Sequence, residues 1–189
     1  MIFPIGEYVI FSLGLFALVQ GLKQHSTRFW GELCLVWLVG RLVETILPWN
    51  ISWHWHLSRL FVIAFFAGLA WQRTEGRKVL PSLMTALALA GQNLFAVNEP
   101  GIFRGDQWFL GGIVLLVAIL ATRDLWGMGL ALAGGVLLDL GISVFLFQGI
   151  VRHYDLPDPF FWNLGVAFLA SVGGVRTFGK LWHVRAKNS

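Results

Sequence analysis

Charged residues are scarce in this chain, and that scarcity argues against a water-soluble surface. Of its 189 residues, 57% are hydrophobic and only 13% are charged, whereas a soluble domain carries roughly a quarter charged residues. The mean hydropathy is +0.70. A surface without a charged coat is suited to lipid, so the composition predicts an all-α integral membrane protein in the cell membrane, with the lipid bilayer as its first partner.

The chain also lacks the motifs that carry known chemistry. With Cys34 as the single cysteine, there is no intramolecular disulfide, Cys-pair redox centre or thiolate metal cage. No His-Glu-x-x-His zinc helix, Gly-x-Ser-x-Gly elbow or phosphate-binding glycine loop occurs. We therefore predict no catalytic residue, no cofactor and no metal. His54 and His56 are interpreted as part of an aromatic interfacial belt, since two histidines are too few for a closed zinc site, although His153, Asp155 and Asp158 could complete one.

Apolar runs divided by polar punctuation predict seven transmembrane helices in a single membrane domain covering residues 1–189. A helix that crosses a bilayer takes about 20 residues, so seven spans leave no room for a soluble domain. The junction around residues 121–125 allows either a tight turn or one long broken helix. The predicted spans are about 2–22, 29–47, 56–72, 79–98, 107–122, 125–150 and 160–176.

The loops alternate in charge, which predicts the orientation of the chain. Ten of the fourteen Lys and Arg residues fall in the loops and tail on one side, and the opposite loops hold only Arg104 and Arg152. Cytoplasmic loops are enriched in Lys and Arg, so the N-terminus is predicted outside and the C-terminus in the cytoplasm. Basic clusters between apolar runs fit this pattern and do not indicate nucleic-acid binding.

A weak internal repeat suggests a three-plus-one-plus-three plan. Residues 63–73 align with residues 166–176 at an offset of 103, with four identities in eleven positions. The same offset places span two on span six and span one on span five. Parallel repeats of this kind occur in transporters. The alternative is that apolar runs with similar loop lengths align by chance.

Ionisable residues inside the predicted spans are the candidate site, because charge in a bilayer costs about 2.5–3.5 kcal/mol on insertion scales. Arg41 and Glu44 share a helix face and are expected to pair, with Glu7 or Arg59 within reach. All four lie in the outer half of spans one to three. The predicted ligand- or ion-binding set adds two residues from spans four and six, so that it consists of Glu7, Arg41, Glu44, Arg59, Gln92 and Asp139. The alternative is that the two acids and two bases only neutralise one another.

Asp139 is the deepest of these residues. It follows Gly127, Ala131 and Gly135 and precedes Ser143 at four-residue intervals, a small-residue track that lets membrane helices approach closely. Asp139 is therefore expected to face another helix, where it must be protonated, paired or hydrated.

Three functions remain compatible with this pattern. The leading hypothesis is a small seven-helix membrane protein that binds a small solute or ion, with translocation as its extension, through a polar site in the outer half of the bundle. The first alternative is a non-catalytic membrane scaffold or assembly partner, in a homo-oligomer or with another membrane protein. The second is an intramembrane enzyme that uses Asp139 and Glu44 as acid and base; without a motif, a non-enzyme is favoured.

Overall fold

The computed structural model describes residues 5–21, 25–46, 54–98, 106–122, 124–147 and 155–171. Within these ranges the chain is a bundle of helices, apart from one pair of two-residue strands. The helices are α1 (Ile5–Val19), α2 (His25–Ile46), α3 (Leu57–Arg73), α4 (Val79–Asn98), α5 (Asp106–Ala121), α6 (Leu125–Phe147) and α7 (Pro159–Ser171), and the strands are β1 (His54–Trp55) and β2 (Asp155–Leu156). The all-helical prediction is confirmed.

Each of these helices coincides with an apolar segment predicted as a span. At the uncertain junction, α5 ends at Ala121 and α6 begins at Leu125, so the tight turn is correct and the long broken helix is wrong. Asp124 stabilises the new start, since its Oδ2 accepts from the backbone N–H of Gly127 at 2.9 Å, an amide without an intrahelical acceptor. The basic tail and the loops that hold Arg104, Arg152 and His153 lie outside the described residues.

One helix of the described part is long and apolar enough to cross a membrane. Within Leu125–Leu146 of α6, an 18-residue window has a mean hydropathy of 2.0, and only 33% of the residues in this window are buried. Four other apolar helices, including α1 and α7, have between 10 and 17 described residues. The structure therefore supports membrane association through α6, and seven spans remain a prediction.

The core lies where α1, α2, α3, α6 and α7 meet. Its buried side chains include Ile10, Leu33, Phe66, Leu130 and Trp162. Helices α1 and α2 touch at a glycine: a Cβ on Gly14 would lie 2.2 Å from the Cβ of Cys34. Cys34 is thus a buried packing residue, as expected of a cysteine within an apolar run.

The contacts between helices give their relative directions. The start of α1 meets the end of α2 through Glu7 and Arg41, so these two helices are antiparallel. The start of α1 also meets the start of α7, where Asn163 accepts from the N–H of Gly6 at 2.8 Å. Strands β1 and β2 pair in parallel just before α3 and α7. These are the two helices that the predicted repeat aligns, although the repeat itself stays a prediction.

Candidate functional site

An ion-pair cluster, defined as Glu7, Arg41, Glu44 and Arg59, joins the first three helices at one end of the bundle. Glu7 lies in the first turn of α1, and Arg41 lies near the end of α2. Nη2 of Arg41 donates to Oε2 of Glu7, and Nη1 donates to Oε2 of Glu44 at 2.9 Å. The predicted pairing of Arg41 with Glu44, with Glu7 within reach, is confirmed.

Arg59 completes the cluster from α3. Its Nε and Nη2 both lie 2.9 Å from Oε1 of Glu7, so each carboxylate oxygen of Glu7 accepts from a different arginine. The side chains of Arg59 and Glu7 are only 7% and 8% exposed. A buried charge is tolerated when it is paired and hydrogen-bonded, and Glu7 meets both conditions. Nη1 of Arg59, in contrast, is buried without a hydrogen-bond partner.

Glu44 also holds the start of α3. Its Oε1 accepts from the backbone N–H of Ser58 at 2.7 Å and from Ser58 Oγ at 2.9 Å. Amides in the first turn of a helix have no intrahelical acceptor, and the local cap residue His56 supplies no side-chain cap. A carboxylate on α2 therefore caps α3, so both oxygens of Glu44 are occupied within the fold.

Small residues bring α6 against α4 in the second half of the chain. Ala131 is completely buried, and a Cβ on Gly135 would lie 2.6 Å from Cγ2 of Thr85. The predicted small-residue track therefore forms a helix contact, as such tracks do in membranes. The prediction is wrong for Gly127, which does not contact another helix through this position. A Cβ there would lie 2.5 Å from Oδ1 of Asp124, the cap of its own helix.

This contact places Asp139 beside α4, where it forms a carboxyl–amide group with Asn93 and Ser143. Nδ2 of Asn93 lies 3.2 Å and 3.4 Å from the two carboxylate oxygens of Asp139 and 3.4 Å from Oγ of Ser143. Ser143 is 1% exposed. Asp139 faces another helix, as predicted. Its hydrogen-bonding partners are neutral, and no described Lys, Arg or His forms an ion pair with it.

The two groups lie in the same half of the bundle at different depths. Glu7, Glu44 and Arg59 are each within two residues of a helix end. Asp139 is eight residues from the end of α6, or about 12 Å along the axis at 1.5 Å per residue. None of the ion pairs of the cluster reaches Asp139. The six predicted residues therefore do not converge on one pocket.

Gln92 belongs to neither set of hydrogen bonds in the described part of the chain. Its side-chain Oε1 is buried without a hydrogen-bond partner, while its neighbour Asn93 faces Asp139. A signal for Asn93 exists in the sequence, because Thr85, Leu89 and Asn93 recur every four residues, the same period as the track on α6. Ser143 was already part of the predicted track on α6. No sequence pattern indicated that Ser58 would bind Glu44.

Among the described residues, no group of three His, Cys, Asp or Glu side chains is arranged to hold a metal ion. His54 is exposed and lies opposite Asp155 in the parallel strand pair. His153, which was considered together with His54 and His56, lies outside the described residues.

Comparison of the chain with protein-family models, with curated proteins and with solved structures returned no match.

Proposed function

We propose that the chain is a seven-span membrane protein that binds a small monovalent cation at the carboxyl–amide group of α4 and α6. The observation that carries this proposal is the surroundings of Asp139, whose carboxylate meets only neutral hydrogen-bonding side chains among the described residues. Within a bilayer, an ionisable residue is a candidate functional group. The group contains a single carboxylate, and one monovalent cation neutralises a single carboxylate.

Oxygen atoms suited to a hard cation lie at or near Asp139. The group supplies the two carboxylate oxygens and Oγ of Ser143. A rotation of the Asn93 amide would present its Oδ1 in place of Nδ2. Gln92, the preceding residue on α4, has a buried Oε1 without a partner. Carboxylate, hydroxyl and amide oxygens are the donors that hard cations prefer.

Exposed apolar side chains favour the multi-pass part of the proposal. Large hydrophobic residues are exposed on α1, α2, α4, α5 and α6, among them Phe16, Leu42, Leu87, Leu120 and Phe145. A water-soluble monomer rarely exposes contiguous apolar patches of more than a few hundred Å². A lipid-facing bundle requires such a surface.

Helix directions also fit seven consecutive spans. Successive spans alternate in direction, so odd-numbered helices must run opposite to even-numbered ones. Arg73 at the end of α3 stacks on Trp126 at the start of α6, with 4.4 Å to the ring centroid, so these helices are antiparallel. Thr85 and Asn93 of α4 meet Gly135 and Asp139 of α6 in the same order, so these helices are parallel.

Cation binding is tested by thermal unfolding of the purified chain in neutral detergent. We expect one of Na⁺ or K⁺ to raise the apparent unfolding temperature over choline at equal ionic strength, because a ligand that binds the folded state stabilises it by about 2.7 kcal/mol at 100 times its Kd. Asp139→Asn should abolish the difference. The matched control is Asp124→Asn, the same chemical change in the cap of the same helix, which should keep it.

A cation response that persists in Asp139→Asn, or that no alkali cation produces in the wild type, would contradict the proposed site. Uptake of the stabilising ion into proteoliposomes would extend the proposal from binding to transport.

The orientation has its own test, in a Cys34→Ala background. A cysteine at Asn50 or Asp155 should react with an impermeant thiol reagent added to intact cells, while one at Thr74 or Asn188 should not. Protection at Asn50 together with labelling at Asn188 would reverse the orientation.

A membrane scaffold is the second candidate function, and the ion-pair cluster favours it. Every carboxylate oxygen of Glu7 and Glu44 is occupied by a partner from the fold, which is what a structural clamp requires. Two observations count against acid–base catalysis by Glu44 with Asp139. Both oxygens of Glu44 are already occupied, and Asp139 lies at a different helix contact, between α4 and α6.

A further inference from the structure

The Lys and Arg residues in the described part of the chain fall into two groups. Those of the first group each form an ion pair with a glutamate, and they are Arg28, Arg41 and Arg59. Those of the second group lie close together in the turn that joins α3 to α4, and they are Arg73, Arg77 and Lys78. None of the second group forms an ion pair among the described residues. We call residues 73–78 the basic turn.

Two cations of the basic turn lie over indole rings. The guanidinium of Arg73 is 4.4 Å from the ring centroid of Trp126, and Nζ of Lys78 is 5.4 Å from that of Trp71. The face of an aromatic ring attracts a cation without supplying an acceptor oxygen. In the described part of the chain, no acceptor oxygen is bound by the side chain of either cation. The rings therefore position two positive charges whose N–H donors are available to an external ligand.

The basic turn carries an excess of positive charge. Its three basic residues outnumber its single acid, Glu75. The other acid described near it, Asp124, caps α6 through the backbone N–H of Gly127. An anion is the complementary ligand, and phosphate oxygens accept charge-assisted hydrogen bonds from both Arg and Lys.

An exposed apolar face of α4 starts directly after the basic turn. Leu80, Met84 and Leu87 are exposed, and their spacing of four and three residues places them on one side of the helix. A free phosphate ion has no part that would lie on such a face. A phospholipid joins a phosphate to acyl chains, so it matches the cations and the apolar face together.

We propose that the basic turn binds an anionic phospholipid, with the phosphate at Arg73 and Lys78 and an acyl chain along the exposed face of α4. Basic groups at the ends of membrane helices are known to bind acidic headgroups in this way. The proposal uses the membrane location of the bundle but not cation binding at Asp139, so that either can fail alone.

The test is thermal unfolding of the full chain in neutral detergent, with phosphatidylglycerol or phosphatidylcholine of the same acyl chains. Phosphatidylglycerol should raise the apparent unfolding temperature more than phosphatidylcholine, because a ligand that binds the folded state stabilises it. Added salt should reduce the difference. Inorganic phosphate and glycerophosphoglycerol, which carry the anion without acyl chains, should each have a smaller effect than phosphatidylglycerol at the same concentration. Equal shifts with the two lipids, or an equal shift with either soluble anion, would overturn the proposal.

Charge variants locate the binding site. Arg73→Gln and Lys78→Gln should each weaken the affinity for phosphatidylglycerol by about fivefold, the usual contribution of one basic residue near an anionic lipid surface. Arg77→Gln is a further variant for the case that either change impairs folding, because Arg77 is exposed and has no described partner to lose. It should also weaken the affinity. An unchanged preference for phosphatidylglycerol in the folded variants would overturn the proposal.

Arg28→Gln is the matched control at the same end of the bundle. Helices α2 and α3 are antiparallel, because Gly40 near the end of α2 packs on Ser58 at the start of α3, so the start of α2 lies beside the basic turn. The change removes the same charge from an exposed arginine that is already paired with Glu32. Arg28→Gln should keep the preference for phosphatidylglycerol. A loss equal to that in Lys78→Gln would show that net charge, and not the basic turn, attracts the lipid.

Discussion

Acidic side chains inside the bundle have different partners in its two halves. In α1–α3, Glu7 and Glu44 each use both carboxylate oxygens, and their partners include the guanidinium groups of Arg41 and Arg59. In α4–α6, the carboxylate of Asp139 meets the amide of Asn93, which also contacts the hydroxyl of Ser143. A paired buried charge holds helices together, whereas a charge without a described counterion costs energy. The ion-pair cluster of the first half therefore has the properties of a structural clamp, and the carboxyl–amide group of the second half has those of a binding site.

Removing the charge of Glu7, the central acid of the ion-pair cluster, should have the largest effect on stability. Glu7→Gln leaves Arg59 buried without its counterion, and breaking a buried pair in this way costs about 3–5 kcal/mol. The free energy of unfolding in detergent measures this loss. Glu32→Gln is the matched control, because its ion pair with Arg28 is exposed, at 37% and 71% of the two side chains, and such pairs contribute about 0–1 kcal/mol. Equal losses in the two variants would show that the cluster is solvated.

A smaller loss is expected at the helix contact of the second half. Gly135→Ala places a Cβ about where Thr85 already lies, at 2.6 Å from its Cγ2, and overpacking of this kind costs about 1–3 kcal/mol. Gly141→Ala is the matched control on the same helix, because its Cβ would meet nothing within 4 Å. It should be neutral or stabilising by up to about 1 kcal/mol, because alanine favours helix over glycine. An unfolding free energy equally insensitive to both changes would contradict the close contact of α4 and α6.

The features that could be predicted from the sequence are those that depend on residues close together in the chain. Apolar runs of helical length gave positions close to the observed helices, and the three-residue spacing of Arg41 and Glu44 predicted their pairing. The four-residue track predicted the face of α6 that carries Asp139.

The partners of these groups across helices could not be predicted in the same way. Spacing specifies which face a residue occupies but not which helix packs against that face. Helix α6 packs on α4, two helices earlier in the chain, and this choice selects Asn93 over its neighbour Gln92. Capping of α3 by Glu44 likewise depends on the close approach of Gly40 to Ser58, which no local pattern encodes. For this reason the sequence suggested one convergent pocket where the structure has two separate groups.

The contrast between the halves is tested most directly by making the same carboxyl-to-amide change at Asp139 and measuring the free energy of unfolding without an added alkali cation. Because Asp139 has no described counterion that would be left unpaired, Asp139→Asn should lose no more than about 1 kcal/mol, the net value of a typical hydrogen bond. It should even gain stability if removal of the partly buried acid outweighs that loss. Under the same conditions Glu7→Gln should lose about 3–5 kcal/mol. A loss in Asp139→Asn as large as that in Glu7→Gln would mean that Asp139 is also a structural charge, and would contradict the division of this bundle into a clamp and a site.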